Sequence, residues 1–338
     1  MKGFKDLDLD ERLPNALRGA VLAIGNFDGV HRGHQTVLDT AKSIAGAQGL
    51  PVLALSFEPH PRSLFQPEQP VFRLTPRAMK ARVLEAAGLD GQLVLTFDRA
   101  LAGTSAQDFV DTWLVEAAGA AHVVTGFNFM FGAKRQGTPE FLREAGSRAG
   151  FGVTVVDEQV GEAGHTLSSS RIRQLLGEGD VAAANDLLGY RWCVGGTVSH
   201  GAKLGRTLGY PTANIALPES CALAHGIYAV RLRRADGSLH DGVASFGRRP
   251  TFDDGAPLLE TFVFDFSGDL YGEDIAVSLF ARLRGEEKFD SAEALVVQMD
   301  EDSKDARRIL SAAAPLGDID AHLSFDGLVT TGAKVGTG

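Results

Sequence analysis

The stretch Gly25–His34, GNFDGVHRGH, decides how the first half of the chain folds. An apolar run over 20–24 precedes it, and an amphipathic run over 37–44 follows it. This order predicts a strand, a glycine-rich turn and a helix. At such a turn, backbone N–H groups and the positive end of the helix dipole face outward, and glycine lets a phosphate approach closely. The stretch therefore predicts a phosphate site.

Two histidines distinguish this turn from the common phosphate loops, because it has neither the Gly-Lys-Ser/Thr of a P-loop nor a GxGxxG spacing. His31 and His34, three apart at a helix start, point the same way and can both hydrogen-bond a phosphoryl group in transfer. The alternatives are a zinc site, for which Asp28 is the nearest further ligand, and histidines that only cap a helix. The construction of the loop favours phosphate chemistry.

The stretch resembles the signature of the HxGH nucleotidyltransferases, and GNFDGVHRGHQ in particular resembles that of the bifunctional bacterial riboflavin kinase/FAD synthetases. The resemblance implies that His31 and His34 stabilise charge on the α-phosphate of ATP. It also implies nucleotide contacts from the rest of the turn, namely Gly25, Asn26, Phe27, Asp28 and Gly33.

The composition predicts a globular protein of about two domains, since the chain has 338 residues, of which 44% are hydrophobic. A net charge of -10 disfavours nucleic acid as a partner. No apolar run reaches membrane-span length, and the N-terminus is too acidic for a signal peptide, which predicts a cytoplasmic protein. Cys193 and Cys221 are predicted to be small buried residues. Whether the chain forms a homo-oligomer stays open.

The first half alternates short apolar strands with helical segments, which predicts a doubly wound parallel α/β sheet. The resemblance implies that this sheet is of the HxGH nucleotidyltransferase type. Ligands of such sheets bind beyond the carboxyl ends of the strands. Strands are predicted near 20–24, 51–57, 93–97, 121–127 and 152–156, and helices near 34–48, 76–87, 106–118 and 138–148.

Two of the turns after strands carry aromatic rings. EPHPRSLF at 58–65 is by itself a weak signal, because prolines after a strand usually just end it. GFNFMFG at 126–132 is by itself best explained by core packing of a strand end. In the family that the chain resembles, a stretch of the second form lines the nucleotide and flavin pocket. The resemblance thus implies flavin contacts from Phe65, Asn128 and Phe131, with Asn128 standing where many relatives have an acidic residue.

A further turn, SSSRIR at 168–173, is predicted to open a helix. Arg171 and Arg173 fall in its first turn, where a cation is disfavoured unless an anion lies beside it. A triphosphate would supply that anion. The stretch resembles the second nucleotidyltransferase signature, Ser-Ser-Thr-x-Ile-Arg, with Ser170 in place of threonine. Ser169, Ser170 and Arg171 are therefore predicted to bind the nucleotide, and Ser169, Ser170 and Arg173 to hold the departing pyrophosphate.

The second half changes character near 186–190, which predicts two domains, 1–186 and 187–338. Strands in succession with glycine turns predict a small antiparallel β-barrel, closed by a helix from Ser291 to about Ala313. Residues 325–338 lack periodicity and are predicted to fray. The barrel strands are predicted at 227–233, 242–246, 260–266 and 275–281.

The stretch HGAKLGRTLGYPTANI at 200–215 combines glycines with cations, which suits phosphate, although a hairpin with polar residues in solvent would look similar. Thr212 and Asn214, two apart on a strand, face the same side and can place two oxygens on Mg²⁺. The stretch resembles the phosphate and metal loop of riboflavin kinase. That resemblance implies nucleotide contacts from Gly201, Lys203 and Gly209.

A riboflavin kinase also needs a base, and Glu260 in LLETFVFDF matches the position of the family's catalytic glutamate. The alternative is a solvent-facing strand end. Asp265 serves as the comparison, because no catalytic role is expected from it. Arg284 and Phe289 resemble flavin-contacting positions.

The resemblance covers about residues 15–315 and implies that the chain converts riboflavin and ATP to FMN, and FMN and ATP to FAD. One rival is a nucleotidyltransferase for another phosphorylated acceptor, whose second domain only binds that acceptor. Another is a catalytically silent flavin-binding regulator. The expected partners are small molecules only: riboflavin, FMN and ATP, with Mg²⁺ as cofactor.

Overall fold

The structure, a computed structural model, describes residues 3–10, 12–158, 167–199, 209–248 and 256–326. The chain divides into two compact units, residues 1–169 and 170–338. Within the described ranges, none of the helices has the length and apolar character needed to cross a bilayer.

The first unit is built on one six-stranded sheet in which every neighbouring pair is parallel. Central strands such as VLAI are buried along their whole length, because helices cover both faces of a parallel sheet. The strands, in the spatial order β1-β4-β3-β2-β5-β6, are β1 (Lys5–Asp8), β2 (Val21–Ile24), β3 (Val52–Glu58), β4 (Gly91–Thr96), β5 (His122–Gly126) and β6 (Gly152–Val156).

The helices of this unit alternate with the strands, and α5 runs on directly into a π-helix, Val110–Ala117. A short 3₁₀ turn, Ala133–Arg135, follows β5. The helices are α1 (Arg32–Gln48), α2 (Pro61–Phe65), α3 (Arg77–Ala86), α4 (Arg99–Gly103), α5 (Ala106–Phe109) and α6 (Pro139–Ala149).

The predicted doubly wound parallel sheet is confirmed, and its five predicted strands are present. The prediction missed β1, the short edge strand that pairs with β4. It also missed the short helices α2 and α4.

The second unit contains a six-stranded sheet whose neighbouring strands are all antiparallel. Its two edge strands meet where Ser199 bridges Asn214, so the sheet nearly closes into a barrel. The strands, in the spatial order β7-β12-β9-β10-β11-β8, are β7 (Cys193–Thr197), β8 (Thr212–Ala216), β9 (Gly226–Arg233), β10 (Leu239–Arg248), β11 (Pro257–Val263) and β12 (Asp274–Arg284).

Four described helices belong to this unit: α7 (Ser169–Glu178), which begins at the junction, α8 (Val181–Leu188), α9 (Ala292–Ala312) and α10 (Asp318–Ser324). The barrel and its long C-terminal helix α9 confirm the predicted fold class, whereas α10 was not predicted. The fraying predicted for 325–338 falls mostly on residues 327–338, which lie outside the described residues.

Helix α8 is bound to the barrel through a buried side chain. The Asn185 amide donates to the Leu279 carbonyl at 3.0 Å, and its oxygen accepts from the Trp192 N–H at 2.8 Å. The helix therefore contributes to the core of the second unit, although six of its eight residues precede residue 187.

Candidate functional site

The turn after β2 has an unusual backbone. Phe27 and Val30 both have positive φ, 47° and 36°, and the glycine between them, Gly29, has φ 86°. Positive φ is rare for any side chain and especially for a β-branched one, so the loop is strained and must be held by its surroundings. Both side chains are buried, at 1% and 0% exposure. The turn is therefore a fixed frame.

This frame brings the two predicted histidines together. His31 caps α1, its Nδ1 accepting from the His34 backbone N–H at 3.3 Å. The two imidazole rings stack with their centroids 3.7 Å apart. A Cβ placed on Gly33 would lie 3.2 Å from the His31 ring, so glycine lets this ring lie against the helix backbone. The expectation that both rings point the same way agrees with this geometry.

His34 is uncharged at neutral pH. Burial, and then the nearby charges of His31 and Lys80, hold its pKa well below its ordinary value. Its Nδ1 atom is buried and has no hydrogen-bond partner among the described residues. A neutral imidazole with a buried unsatisfied atom is suited to bind a ligand that completes its hydrogen bonding.

Asp28 does not offer its side chain to solvent. It is 1% exposed, and its carboxyl accepts from the Thr75 backbone N–H at 2.9 Å. Within the described residues, no group of three or more His, Cys, Asp or Glu is placed to hold a metal ion.

The second predicted motif begins α7, as expected. The Ser169 hydroxyl donates to the Asp28 backbone carbonyl at 2.7 Å, which joins it directly to the first motif. Ser170 is exposed, Arg171 lies half-buried in the first turn of α7, and Arg173 lies half-buried just beyond that turn. The Arg171 guanidinium is 3.9 Å from Glu178, at the limit of an ion pair.

The aromatic turns differ in what they expose. Phe65 on α2 is 68% exposed, with its ring 6.1 Å from that of Phe97. Asn128 is exposed, whereas Phe131 is buried and packs 5.2 Å from Phe109 within the core. Flavin contacts from Phe65, Asn128 and Phe131 stay predictions.

Sequence reasoning missed a buried polar network beside the first turn, formed by Glu58, Arg73, Thr75 and Lys80. A signal was present, because Lys80 falls on the face of α3 that also buries Met79, Val83 and Leu84. A lysine at a core position needs a partner.

In the second unit, the predicted metal and base residues share one face of the sheet. Asn214 on β8 lies directly opposite Glu260 on β11, and Thr212 is two residues from Asn214. Asn214 is 3% exposed, and its Oδ1 has no hydrogen-bond partner among the described residues. An orphaned buried oxygen beside a hydroxyl and a carboxyl is a donor set that fits a hard cation.

Other parts of the predicted kinase loop cannot be placed. Gly201, Lys203 and Arg206 lie outside the described residues. Gly209, at the start of the next described range, has φ 86°, a conformation that favours glycine.

Arg284 is held by a buried partner. Its guanidinium donates to both Asp302 oxygens, with Nε–Oδ1 2.9 Å and Nη2–Oδ2 2.8 Å, and to the Gly285 carbonyl at 3.0 Å. It lies 5.7 Å from the centre of the Phe289 ring. Asp265 forms an exposed pair with Arg307 at 2.7 Å. Flavin contacts from Arg284 and Phe289 stay predictions.

Comparison with known proteins places both halves in named families. The FAD synthetase family model matches residues 13–171, and the riboflavin kinase family model matches residues 188–310.

Full-length relatives carry both parts together. A bifunctional riboflavin kinase/FMN adenylyltransferase from Listeria monocytogenes is 41% identical over 291 residues, covering 85% of this chain and 91% of the relative. The Escherichia coli K12 protein with the same description is 38% identical over 297 residues, covering 88% of this chain and 95% of the relative.

A solved structure is similar to most of the chain. It is described as a macrolide-efflux protein from Streptococcus pneumoniae and has a TM-score of 0.76 at 33% identity, covering 88% of this chain and 96% of that one. Two family models in the expected order, together with relatives of this identity and coverage, identify the family. The chain belongs to the bifunctional riboflavin kinase/FMN adenylyltransferase family.

Proposed function

We propose that this chain phosphorylates riboflavin to FMN with ATP and adenylylates FMN to FAD, with a separate site for each reaction. The observation that carries the proposal is that each family model covers one set of motifs: the stacked histidines lie within the first match, and the Thr212–Asn214–Glu260 face within the second.

In the adenylyl transfer, an oxygen of the FMN phosphate attacks the α-phosphorus of ATP. The bond from that phosphorus to the oxygen bridging to the β-phosphate breaks, and pyrophosphate leaves. His31 and the neutral His34 hydrogen-bond the α-phosphoryl oxygens as charge develops there. Ser169, Ser170, Arg171 and Arg173 bind the departing pyrophosphate. The turn residues Gly25, Asn26, Phe27 and Gly33 shape the nucleotide site, while the backbone of Asp28 anchors Ser169.

In the kinase reaction, Glu260 takes the proton from the terminal ribityl hydroxyl, and that oxygen attacks the γ-phosphorus of ATP. ADP leaves with the former bridging oxygen. Thr212 and Asn214 would hold Mg²⁺, since the buried Asn214 oxygen lacks another partner among the described residues. When bound, the ion neutralises charge on the ATP phosphates.

We assign flavin contacts to Phe65 and Asn128 for the first site, with Phe131 supporting them from the core, and to Arg284 and Phe289 for the second. A cytoplasmic location and a set of partners limited to small molecules are part of the same proposal. The net charge of -10 supports the absence of nucleic acid from that set.

The test is to incubate the purified chain with riboflavin, ATP and Mg²⁺ and to resolve the flavins chromatographically over time. The proposal expects FMN first and FAD after it. A parallel incubation starts from FMN. FAD from FMN but no FMN from riboflavin would indicate a nucleotidyltransferase only, and no product from either flavin would indicate a flavin-binding regulator.

A further inference from the structure

Thr75 makes several hydrogen bonds to the strained turn of the first site. Thr75 is fully buried, and its contacts reach three consecutive residues of the turn, Phe27, Asp28 and Gly29. Its hydroxyl oxygen accepts from the Gly29 N–H at 2.8 Å and donates to the Phe27 carbonyl at 3.3 Å, while its backbone N–H donates to Asp28 Oδ1 at 2.9 Å. These bonds fix the part of the loop where φ is positive.

Two cationic side chains, Arg73 and Lys80, and two carboxyl groups, Glu58 and Asp28, form a cluster beside Thr75. Arg73 donates to both oxygens of Glu58, at 2.7 Å and 2.6 Å, and its Nε lies 3.6 Å from Asp28 Oδ1. Lys80 is completely buried and donates to Glu58 at 3.0 Å. Two cations thus lie against two carboxyl groups. Removing any one of these four groups would leave a buried charge without its partner, which is strongly destabilising.

The ionisation of this cluster agrees with its geometry. Burial alone would raise the pKa of Glu58, but the hydrogen bond from Arg73 and the charges of Lys80 and Arg73 lower it to about 2. Glu58 is therefore a carboxylate at neutral pH. The same Lys80 charge acts on His34, one of the stacked pair.

We propose that Thr75 and Lys80 are positioning residues of the adenylyl transfer, an inference that rests on the proposed function. Through the turn, these two residues hold His31 and His34 in the position that the reaction needs. Neither side chain is accessible to a substrate, since both are 0% exposed. Their effect reaches the reacting phosphate through the turn and His34. Displacing such a pair by a fraction of an ångström lowers the rate of the chemical step while substrate binding is largely kept.

The decisive comparison is Thr75→Val, which keeps the shape and removes the hydroxyl, against Thr75→Ser, which keeps the hydroxyl. For Thr75→Val, kcat of FMN adenylylation should fall about ten- to hundredfold while KM for FMN and ATP changes less than about threefold. Thr75→Ser should retain kcat within about threefold. Riboflavin phosphorylation by the same preparations should be unchanged, which reports that the second unit is folded. A circular dichroism spectrum and thermal unfolding like those of the wild type report that the first unit is folded.

Thr40→Val is the matched control, because its hydroxyl bonds only locally along α1, to the Thr36 carbonyl at 2.8 Å. It should leave both activities unchanged. Lys80→Met is a second test if Thr75→Val does not fold. Its kcat for FMN adenylylation should fall about tenfold, while its rate of riboflavin phosphorylation should be unchanged.

Three results would overturn the inference: Thr75→Val as active as the wild type, an equal fall in Thr75→Val and Thr75→Ser, or a parallel fall of kinase and adenylylation activity in Thr75→Val. Where Thr75→Val does not fold, an unaffected Lys80→Met overturns it. Wild-type protein that makes no FAD from FMN would overturn the proposed function and the inference with it. Wild-type FAD synthesis beside an unaffected Thr75→Val overturns the inference alone.

Discussion

His34 shows how one side chain is prepared by its neighbours. It enters the site uncharged, stacked on His31 and held at the start of α1. His34→Ala should reduce FAD formation by about a hundredfold or more, because it removes a hydrogen-bond donor that acts in the transition state. Riboflavin phosphorylation, measured in the same preparation, should stay nearly unchanged. Equal loss of both activities would show that the two reactions do not use separate sites.

Glu260 gives the corresponding prediction for the kinase reaction of the second unit. Glu260→Gln keeps the shape and removes the base, so riboflavin phosphorylation should be abolished while supplied FMN is still converted to FAD. Asp265→Asn is the matched control, since it alters an exposed carboxylate paired only at the surface with Arg307. An unchanged kinase rate in Glu260→Gln would make Glu260 a structural residue.

Helix α1 contains two glycines, Gly33 and Gly46, whose replacement by alanine should affect activity in the first case and stability in the second. Gly33→Ala places a methyl group 3.2 Å from the His31 ring and should lower FAD formation about tenfold by displacing that ring. Gly46→Ala meets nothing within 4 Å, so it should stabilise the chain by about 1 kcal/mol and leave both activities unchanged. Thermal unfolding and product formation, measured on both variants, check the pair. Equal activity in the two variants would contradict the placement of His31.

Periodic elements could be predicted from the sequence, and elements held by distant contacts could not. Strand β2 is a continuous apolar run and β3 is mostly apolar, and the residues of the turn between β2 and α1 by themselves indicate a phosphate site. Strand β1 reads KDLD and has no such run; distant contacts hold it, including Arg77 ion pairs to Asp6 and Asp8. Tertiary contacts of this kind leave no periodic signal.

The sites follow the same division. Spacing predicted that His31 and His34 share one direction, and that Thr212 and Asn214 share one face of a strand. Ser169 and Glu260 were predicted from the resemblance of their motifs to those of the family. Thr75 was not, because its bonds to the first turn span more than forty residues of sequence. A single threonine before a helix carries no mark of such a role.

The division of the chain into two units gives a prediction about fragments. A fragment beginning at residue 187 would lack Asn185 and the buried side chains Val181 and Ala184 of α8. A fragment of residues 180–338 keeps them, together with the Asp180 cap of α8. Both should fold and phosphorylate riboflavin, but the shorter one should unfold at a temperature lower by about 5 °C or more. Equal unfolding temperatures by circular dichroism would mean that α8 adds nothing to the core.

The two proposed sites must act in sequence, with FMN released from the second unit and bound by the first. The most direct measurement mixes two variants, His34→Ala and Glu260→Gln, with riboflavin, ATP and Mg²⁺, and follows FAD by chromatography. Each variant alone should make at least about a hundredfold less FAD from riboflavin than the wild type. The first should accumulate FMN, and the second should leave riboflavin unchanged. Together they should make FAD, because FMN from one protein serves the other. A mixture that accumulates FMN without FAD, or that leaves riboflavin untouched, would contradict the assignment of the two sites.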